Sequence, residues 1–273
     1  MDNKEKHEKM LYPAVRVRTG TAGGSGTVIY SELVPGEEEE HETYVLTNNH
    51  VIKGNVKVET KYDGMLGRDV KKDVRTPVNV EFFDWEYKSW TGGVRGITAD
   101  IAAYSDEDTD LALLKLKTMK KAEFIGKLFP RGEEKKRLRF FTDVCAVGCG
   151  MGHPPVATFG SLNGFDDIID NQPYFCSSAP TIYGNSGGSL YLADTGELIG
   201  VPARITVAGS MFGGGSPISH LSYSIQISTI YKFLEDEMYN FIFDPETDSK
   251  QCAENRNKKR EREDRLSEAD AKK

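Results

Sequence analysis

The sequence predicts an all-β fold made of two six-stranded halves and a C-terminal helix. Short apolar runs recur along the chain with turn residues between them, which is typical of β-strands. Long runs with helical periodicity are missing before residue 228. A chain of 273 residues also has enough length to bury a large core, so two small barrels fit its size.

The first half is predicted to span about residues 14–125, after an N-terminal extension of residues 1–13. The acidic segment GEEEEHE is predicted to be a solvated hairpin tip, because its charges favour water. The segment DWEYKSWTGG is predicted to form an extra hairpin. Seven runs are candidate strands of this half: 14–19, 26–31, 43–47, 56–60, 78–83, 94–104 and 111–116.

The second half is predicted to span about residues 136–228 and follows the basic linker FPRGEEKKR. Residues 228–243 place apolar side chains at helical spacing behind the N-cap Ser228, so they predict a terminal helix that completes a domain of residues 14–243. Residues 244–273 carry nine acidic and nine basic residues and little to bury, which predicts a charged tail that is helical or disordered. The candidate strands of this half are 138–147, 156–165, 174–178, 189–192, 198–206 and 221–227.

Composition excludes several classes of partner. The formal net charge of −7 argues against nucleic acid or an anionic membrane as partner. The N-terminus is charged where an export signal needs an apolar run, so a cytoplasmic protein is expected. Four cysteines are too few and too unevenly spaced for a disulfide framework. The oligomeric state does not follow from the sequence.

The spacing of Cys145, Cys149 and His153 does not predict a metal site. The two cysteines lie in the apolar stretch FFTDVCAVGCG, which predicts a strand with buried thiols, and no fourth ligand lies nearby in sequence. The sequence therefore predicts neither a metal nor another cofactor.

The first candidate catalytic segment is Gly184-Asn185-Ser186-Gly187-Gly188. Glycines on both sides allow a tight turn that exposes the Ser186 hydroxyl, and the amides of Gly184 and Ser186 can converge on one point. Ser186 is the candidate nucleophile, and Gly184, Asn185 and Ser186 are the candidate oxyanion hole. Taken alone, the segment is also compatible with an ordinary Gly-rich turn.

The second candidate segment is TNNHV, which puts His50 at the end of the apolar strand YVLT. A neutral imidazole is the side chain best suited to take a proton near neutral pH, so His50 is the candidate base. The other four histidines lie in a charged terminus or in loops and are predicted to be solvated: His7, His41, His153 and His220.

The third candidate segment is TDLALLKL, in which Asp110 directly precedes a buried strand. A carboxylate at that position can be fixed beside an imidazole without solvent, so Asp110 is the candidate orienting acid. Asp100 lies within the preceding predicted strand. The remaining competitors belong to the polar turn SDEDTD: Asp106, Glu107 and Asp108.

The segments GGSGTVIY, TNNHV, TDLALLKL and YGNSGGSLY, in the order His, Asp, Ser, resemble trypsin-like serine proteases. The resemblance is closest to the bacterial HtrA/DegP-like protease domain without a PDZ domain, and it covers about residues 14–240. It implies the chymotrypsin fold of two Greek-key β-barrels with the site in the cleft between them. It also implies a serine endopeptidase acting on polypeptides, with His50 and Asp110 from the first barrel and Ser186 from the second.

Departures from the family pattern bear on activation and specificity. Secreted relatives place an aspartate before the serine to pair with a newly cut N-terminus, whereas this chain has Asn185, so no activating cleavage is expected. The resemblance puts Pro180 at the base of the substrate pocket, where no acid is present. A neutral pocket that takes small or medium aliphatic residues is therefore predicted, with Arg204 favouring an acidic residue if it points into the cleft. The pocket residues are Pro180, Thr181, Tyr183, Ala203, Arg204 and Ile205.

Three alternatives to a general endopeptidase were weighed. A silent binding module on a protease fold would have no physical need for all three candidate side chains. An esterase of the nucleophile-elbow type needs a helix after the serine, whereas a strand is predicted there. A protease that cuts itself or one partner, as viral and phage processing enzymes do, stays open. The glycine-rich segment 209–216 is compatible with a mobile gate or with a plain hairpin tip.

Overall fold

The computed structural model describes residues 1–20, 22–63, 68–169, 171–209 and 215–270, with the backbone alone described at residues 61, 63, 68–72 and 260–270. Residues 210–214, which form most of the glycine-rich segment 209–216, lie outside the described residues, so its two interpretations, a mobile gate and a plain hairpin tip, both stay open. Within the described ranges, no helix has both the length and the apolar composition that crossing a membrane requires.

The described residues contain fourteen strands. The first eight are β1 (Ala14–Arg18), β2 (Gly23–Leu33), β3 (His41–Thr47), β4 (Val56–Asp63), β5 (Arg68–Arg75), β6 (Val78–Glu86), β7 (Trp90–Tyr104) and β8 (Ala112–Leu116). The last six are β9 (Asp143–Gly148), β10 (Val156–Ile169), β11 (Gln172–Ser177), β12 (Ser189–Leu192), β13 (Leu198–Gly209) and β14 (Gly215–Gln226). The α-helices are α1 (Asn3–Lys6), α2 (Asn49–Ile52), α3 (Glu134–Arg137), α4 (Ile227–Asp236) and α5 (Ser249–Asp270).

The strands form two closed six-stranded barrels with the same topology. The first barrel runs β1-β2-β3-β8-β7-β6 and the second runs β10-β11-β14-β13-β12-β9. When the six strands of each barrel are counted in chain order, both barrels read 1-2-3-6-5-4 around the ring, which is a Greek-key arrangement. The predicted fold class, including the C-terminal helix, is confirmed.

Some strands are apolar on both faces because each face packs into a different core. Along β3, Val45 points into the core of the first barrel, whereas its neighbours Tyr44 and Leu46 belong to a core that continues into the second barrel. Successive side chains of a strand point to opposite faces, so a strand between two cores needs an uninterrupted apolar run. The strands that carry the candidate site are therefore fixed from both sides.

The hairpin of β4 and β5 departs from the prediction. Residues 56–60 were predicted to join the first barrel, but β4 pairs only with β5, from Val56 opposite Arg75 to Asp63 opposite Arg68. Val58 is 62% exposed, so apolar alternation in β4 does not mark a buried face. Arg75 ties the hairpin to β7 by donating from Nη1 to the Ile101 and Ala102 carbonyls at 3.1 and 3.0 Å.

The terminal helix is shorter than predicted. Helix α4 ends at Asp236, not at residue 243, because Met238 adopts a left-handed φ of +59° that an α-helix cannot contain. The chain then forms a short 3-10 turn over Asn240–Ile242, and Phe241 is buried in the shared core. The charged tail forms the helix α5, whose first turns dock through the buried Ser249 and Cys252.

Candidate active site

His50 lies at the mouth of a cleft between the barrels because the strand that leads to it ends three residues earlier. β3 stops at Thr47, and the single turn α2 follows. Val51 and Ile52 are 3% and 0% exposed and anchor that turn in the first barrel. The His50 side chain faces outward and is 44% exposed.

Asp110 holds His50 through two hydrogen bonds. Its Oδ2 lies 2.7 Å from His50 Nδ1, and its Oδ1 accepts from the His50 amide at 2.9 Å. Its carbonyl accepts from the Asn48 side chain at 2.8 Å. Asp110 is 4% exposed and has a left-handed φ of +52°, which asparagine and aspartate tolerate better than most residues. A buried acid therefore fixes the orientation of the imidazole.

The competing acids lie elsewhere. Asp106 and Asp108 are exposed in the turn before Asp110, and Glu107 forms an ion pair with Lys53 on the surface. Asp100 pairs with Lys117 at 2.9 Å on the far side of β7. Among the candidate acids named from the sequence, Asp110 alone contacts His50.

The loop that carries Ser186 rests directly on the end of β3. The Ser186 carbonyl accepts from the Ser25 amide at 2.8 Å. Gly187 has a φ of +84°, and a Cβ there would overlap Thr47 Oγ1 and lie 3.0 Å from the Asn48 amide nitrogen. Only glycine fits this approach, which puts Ser186 beside the strand end that leads into His50. The hydrogen bonds of the described residues include none between the Ser186 hydroxyl and the His50 imidazole.

The backbone amides of this loop divide into two groups. The amides of Asn185, Gly187 and Gly188 donate to the carbonyls of Ile182, Pro202 and Asn185 at 3.0, 3.0 and 2.9 Å. The amides of Gly184 and Ser186 donate to no other described residue. The amides of Gly184 and Ser186, on either side of Asn185, are therefore left to donate to an acceptor outside the loop, as the donors of an oxyanion hole do.

Asn185 does not supply a third donor, contrary to the prediction. Its amide is engaged by the Ile182 carbonyl, and its side-chain Oδ1 accepts from the Ile182 amide at 3.1 Å. With only 6% of its surface exposed, Asn185 braces the loop from inside.

The predicted pocket residues do not line one common cavity. Ala203 and Arg204 line a cleft of about 250 Å³ together with His50 and Asp110. Tyr183 lines a second cavity, of about 620 Å³, on the Gly184 side. Thr181 is 3% exposed and donates from Oγ1 to Ser222 Oγ at 2.7 Å. Pro180 is exposed, with its carbonyl accepting from Thr158 at 2.8 Å, and Ile205 is half-buried on β13.

Sequence reasoning missed two hydroxyl groups beside the loop. Thr47 donates from Oγ1 to the Ser25 carbonyl at 2.7 Å. Ser25 Oγ accepts from the Cys149 amide at 2.7 Å and donates to the Gly184 carbonyl at 2.7 Å. Ser25 lies in the GGSG string used for the family resemblance, but its partners are more than 120 positions away in the chain. No local pattern could therefore identify them.

The cysteines near the site are inert groups. Burial raises the pKa of the Cys149 thiol to about 12 and that of Cys145 to about 12. A thiol that is neutral at physiological pH is a poor nucleophile and a poor metal ligand. Among the described residues, no cluster of three or more histidine, cysteine or acidic side chains could hold a metal ion.

Comparison with solved structures finds chains of the same fold. The HtrA-type protease AlgW with a tripeptide is 20% identical, with a TM-score of 0.58 over 89% of this chain and 64% of that one. A variant of AlgW with a tripeptide is 19% identical, with a TM-score of 0.58 over 86% of this chain and 63% of that one. The serine endoprotease from Yersinia pestis is 18% identical, with a TM-score of 0.55 over 88% of this chain and 68% of that one. This chain therefore spans slightly less than two thirds of the length of the two AlgW chains.

Comparison with curated proteins found no match. The model of the trypsin-like peptidase domain matches residues 24–201, which contain the strands and loops that position His50, Asp110 and Ser186. That match covers well over half of the chain, and the resemblance predicted from the sequence motifs is confirmed. The chain belongs to the trypsin-like peptidase domain family, and its fold is that of the HtrA-type proteases.

Proposed function

We propose that the chain is a serine endopeptidase in which Ser186 is the nucleophile, His50 the general base and Asp110 the orienting acid. The observation that carries the proposal is that the buried Asp110 holds His50, while the amides of Gly184 and Ser186 donate to no other described residue. Acyl transfer through serine needs these parts and little else. The trypsin-like peptidase family implies polypeptides as substrates.

In the proposed first step, Ser186 Oγ attacks the carbonyl carbon of the scissile peptide bond while its proton passes to His50 Nε2. Asp110 accepts the hydrogen bond from His50 Nδ1 and so stabilises the imidazolium that forms. The negative charge on the former carbonyl oxygen is met by the amides of Gly184 and Ser186. The hydrogen bonds of the described residues include none between His50 and Ser186, which is compatible with this step, because such hydrogen bonds often tighten only when substrate binds.

Collapse of the tetrahedral intermediate breaks the C–N bond, and His50 returns its proton to the leaving amine. Water then attacks the acyl-enzyme, with His50 acting as base a second time. As the second intermediate collapses, the ester C–O bond breaks, His50 returns the proton to Ser186 Oγ, and the carboxylic acid product leaves. Each proton that leaves one group is accepted by another, so the cycle needs no cofactor.

The direct test is labelling with a fluorophosphonate probe together with cleavage of casein. We expect one label per chain, on Ser186 by mass spectrometry, and proteolysis that the same probe abolishes. Absence of both label and cleavage in a folded chain would favour the silent binding module. Label on Ser186 without casein cleavage would favour an enzyme that processes itself or a single partner.

Substrate specificity should follow from the neutral pocket. The Thr181 hydroxyl donates to Ser222 Oγ, and no carboxylate stands among the predicted pocket residues to pair with a substrate Lys or Arg. We expect cleavage mainly after small or medium aliphatic residues when denatured casein is digested and the new termini are sequenced by mass spectrometry. Dominant cleavage after Lys or Arg would contradict the pocket assignment. Dominant cleavage after Asp or Glu that is lost in the Arg204→Gln variant would show instead that Arg204 recognises an acidic substrate residue.

Alkylation should separate a serine from a thiol mechanism. Cys149 is 1% exposed and lies beside the Gly184 loop, but burial raises its pKa to about 12. We therefore expect iodoacetamide at neutral pH to leave casein cleavage unchanged, and mass spectrometry to find Cys145 and Cys149 modified only after denaturation. Rapid inactivation of the native protein, with label on either cysteine, would show that a thiol contributes to the activity.

A further inference from the structure

Ser25 is a buried hydroxyl residue that the proposed mechanism does not use, although it bonds to the serine loop, to the end of β3 and to the residue after β9. It is 0% exposed and lies on β2 of the first barrel. Its amide donates to the Ser186 carbonyl at 2.8 Å, and its own carbonyl accepts from Thr47 Oγ1 at 2.7 Å. These two bonds would form with any residue in this position, because they involve only the backbone of Ser25.

The hydroxyl adds a link that a glycine or alanine could not make. Ser25 Oγ accepts from the Cys149 amide and donates to the Gly184 carbonyl, both at 2.7 Å. One oxygen thereby joins the end of β9 to the loop that carries the candidate oxyanion donors. Since the donor and the acceptor are used once each, the orientation of the hydroxyl is fixed.

The turn that follows β9 fixes the other side of Gly184. The Met151 amide donates to the Tyr183 carbonyl at 2.7 Å, and the same turn is closed by the bond from the Gly152 amide to the Cys149 carbonyl at 2.9 Å. In a trans peptide the C=O and N–H point in opposite directions. Holding the Tyr183 carbonyl toward Met151 therefore holds the Gly184 N–H toward the opposite side.

The peptides before and after Gly184 are thus both tied to the Cys149–Met151 turn, the first by Met151 and the second through Ser25. Gly184 has a φ of +95°. Because glycine has no Cβ, it can rotate from this conformation to many others at little steric cost. The direction of its amide depends on hydrogen bonds more than on sterics. Among the described residues, Ser25 supplies the one side-chain hydrogen bond to the peptides before and after Gly184.

We propose that Ser25 is a positioning residue: its hydroxyl holds the Gly184 peptide so that the amide faces the reacting carbonyl. This inference rests on the proposed function. Ser25 has no part in proton transfer, and its effect reaches the transition state only through Gly184. Removing the hydroxyl leaves the buried Cys149 amide without an acceptor and the Gly184 carbonyl without a donor, which favours rotation of the loop.

The test compares Ser25→Ala with the matched control Ser31→Ala. Ser31 lies on the same strand, is also 0% exposed, and its hydroxyl bonds Thr43 Oγ1 at 2.7 Å and the Ala122 amide at 2.8 Å, away from the site. Removing one oxyanion donor typically costs about 100- to 1000-fold in kcat, and a misaligned donor costs less. We expect Ser25→Ala to lower kcat about 10- to 100-fold with KM changed by less than about threefold, and Ser31→Ala to leave both unchanged.

A second readout separates positioning from lost stability. A peptide boronic acid forms a tetrahedral adduct on the serine, so its affinity reports the oxyanion hole, whereas the cleaved peptide product reports ground-state binding. We expect Ser25→Ala to weaken the boronate by about the same factor as kcat and to leave product affinity within about threefold. Thermal midpoints should fall in both alanine variants, because each loses a buried hydrogen bond.

Two outcomes would overturn the proposal: a folded Ser25→Ala chain with kcat and boronate affinity within about twofold of the parent, or equal losses in Ser31→Ala. If Ser25→Ala does not fold, Ser25→Cys decides, because it keeps a weaker donor and acceptor in nearly the same volume. Its kcat should fall below that of the parent, and a kcat equal to the parent would overturn the proposal. Lack of turnover in the parent chain itself would instead refute the proposed function.

Discussion

Replacing Ser186 with alanine is expected to lower kcat on casein or a peptide substrate about a million-fold, equivalent to about 8 kcal/mol of transition-state stabilisation. Without the hydroxyl no acyl-enzyme forms, and His50 has no proton to accept from the chain. The residual rate should come from the amides and from binding alone. Steady-state kinetics with purified variants, freed of trace parent enzyme by prior probe treatment, would measure it.

The double variant Ser186→Ala with His50→Ala provides a sharp check. Residues that act as one unit are strongly non-additive, so the double variant should be no slower than Ser186→Ala within about tenfold. The Ser31→Ala variant again serves as the control for a buried serine outside the site. If Ser186→Ala keeps more than about one per cent of the parent kcat, a different nucleophile must be sought.

Replacing Asp110 with asparagine is expected to lower kcat about ten-thousand-fold while the fold is kept. Asparagine tolerates the φ of +52°, and its Oδ1 can still accept from the His50 amide. The NH₂ group then faces His50 Nδ1 and donates to it, which places the remaining ring proton on Nε2. An imidazole in that tautomer cannot take the proton from Ser186.

The matched control is Asp108→Asn, two residues earlier in an exposed position of the same turn. It removes the same charge without touching His50, so kcat should stay within about twofold. Circular dichroism and thermal midpoints would check that both variants fold. Equal losses in the two variants would assign the effect to net charge, and an unaffected Asp110→Asn would exclude the proposed role of the acid.

The strands that are largely buried on both faces were predictable because their composition carries the information. Residues 189–192 were predicted with the observed bounds of β12, and residues 111–116 begin one position before β8. β5 was missed because RDVKKDVR has few apolar residues to mark a face. Its hairpin partner, β4, was wrongly assigned to the barrel. An exposed two-stranded hairpin buries little, so its sequence is weakly constrained.

The candidate site was predictable residue by residue only where chemistry demands a particular side chain. A base, an orienting acid and a nucleophile each limit the choice to a few residue types, which led to His50, Asp110 and Ser186. Asn185 was wrongly included as a donor because the direction of its amide depends on a contact with Ile182. Ser25 was missed for the same reason. The cytoplasmic location and the pocket preference stay predictions.

The ring closure of the second barrel also has a consequence for biosynthesis. β14 bridges β11 and β13, so that barrel cannot close until about residue 226 has left the ribosome, long after the first barrel is complete. Domains generally fold in the order in which they are synthesised. A nascent chain halted after β8 and before that point would present the candidate base and acid but an unformed serine loop, and is expected to leave neighbouring unfolded polypeptides uncut.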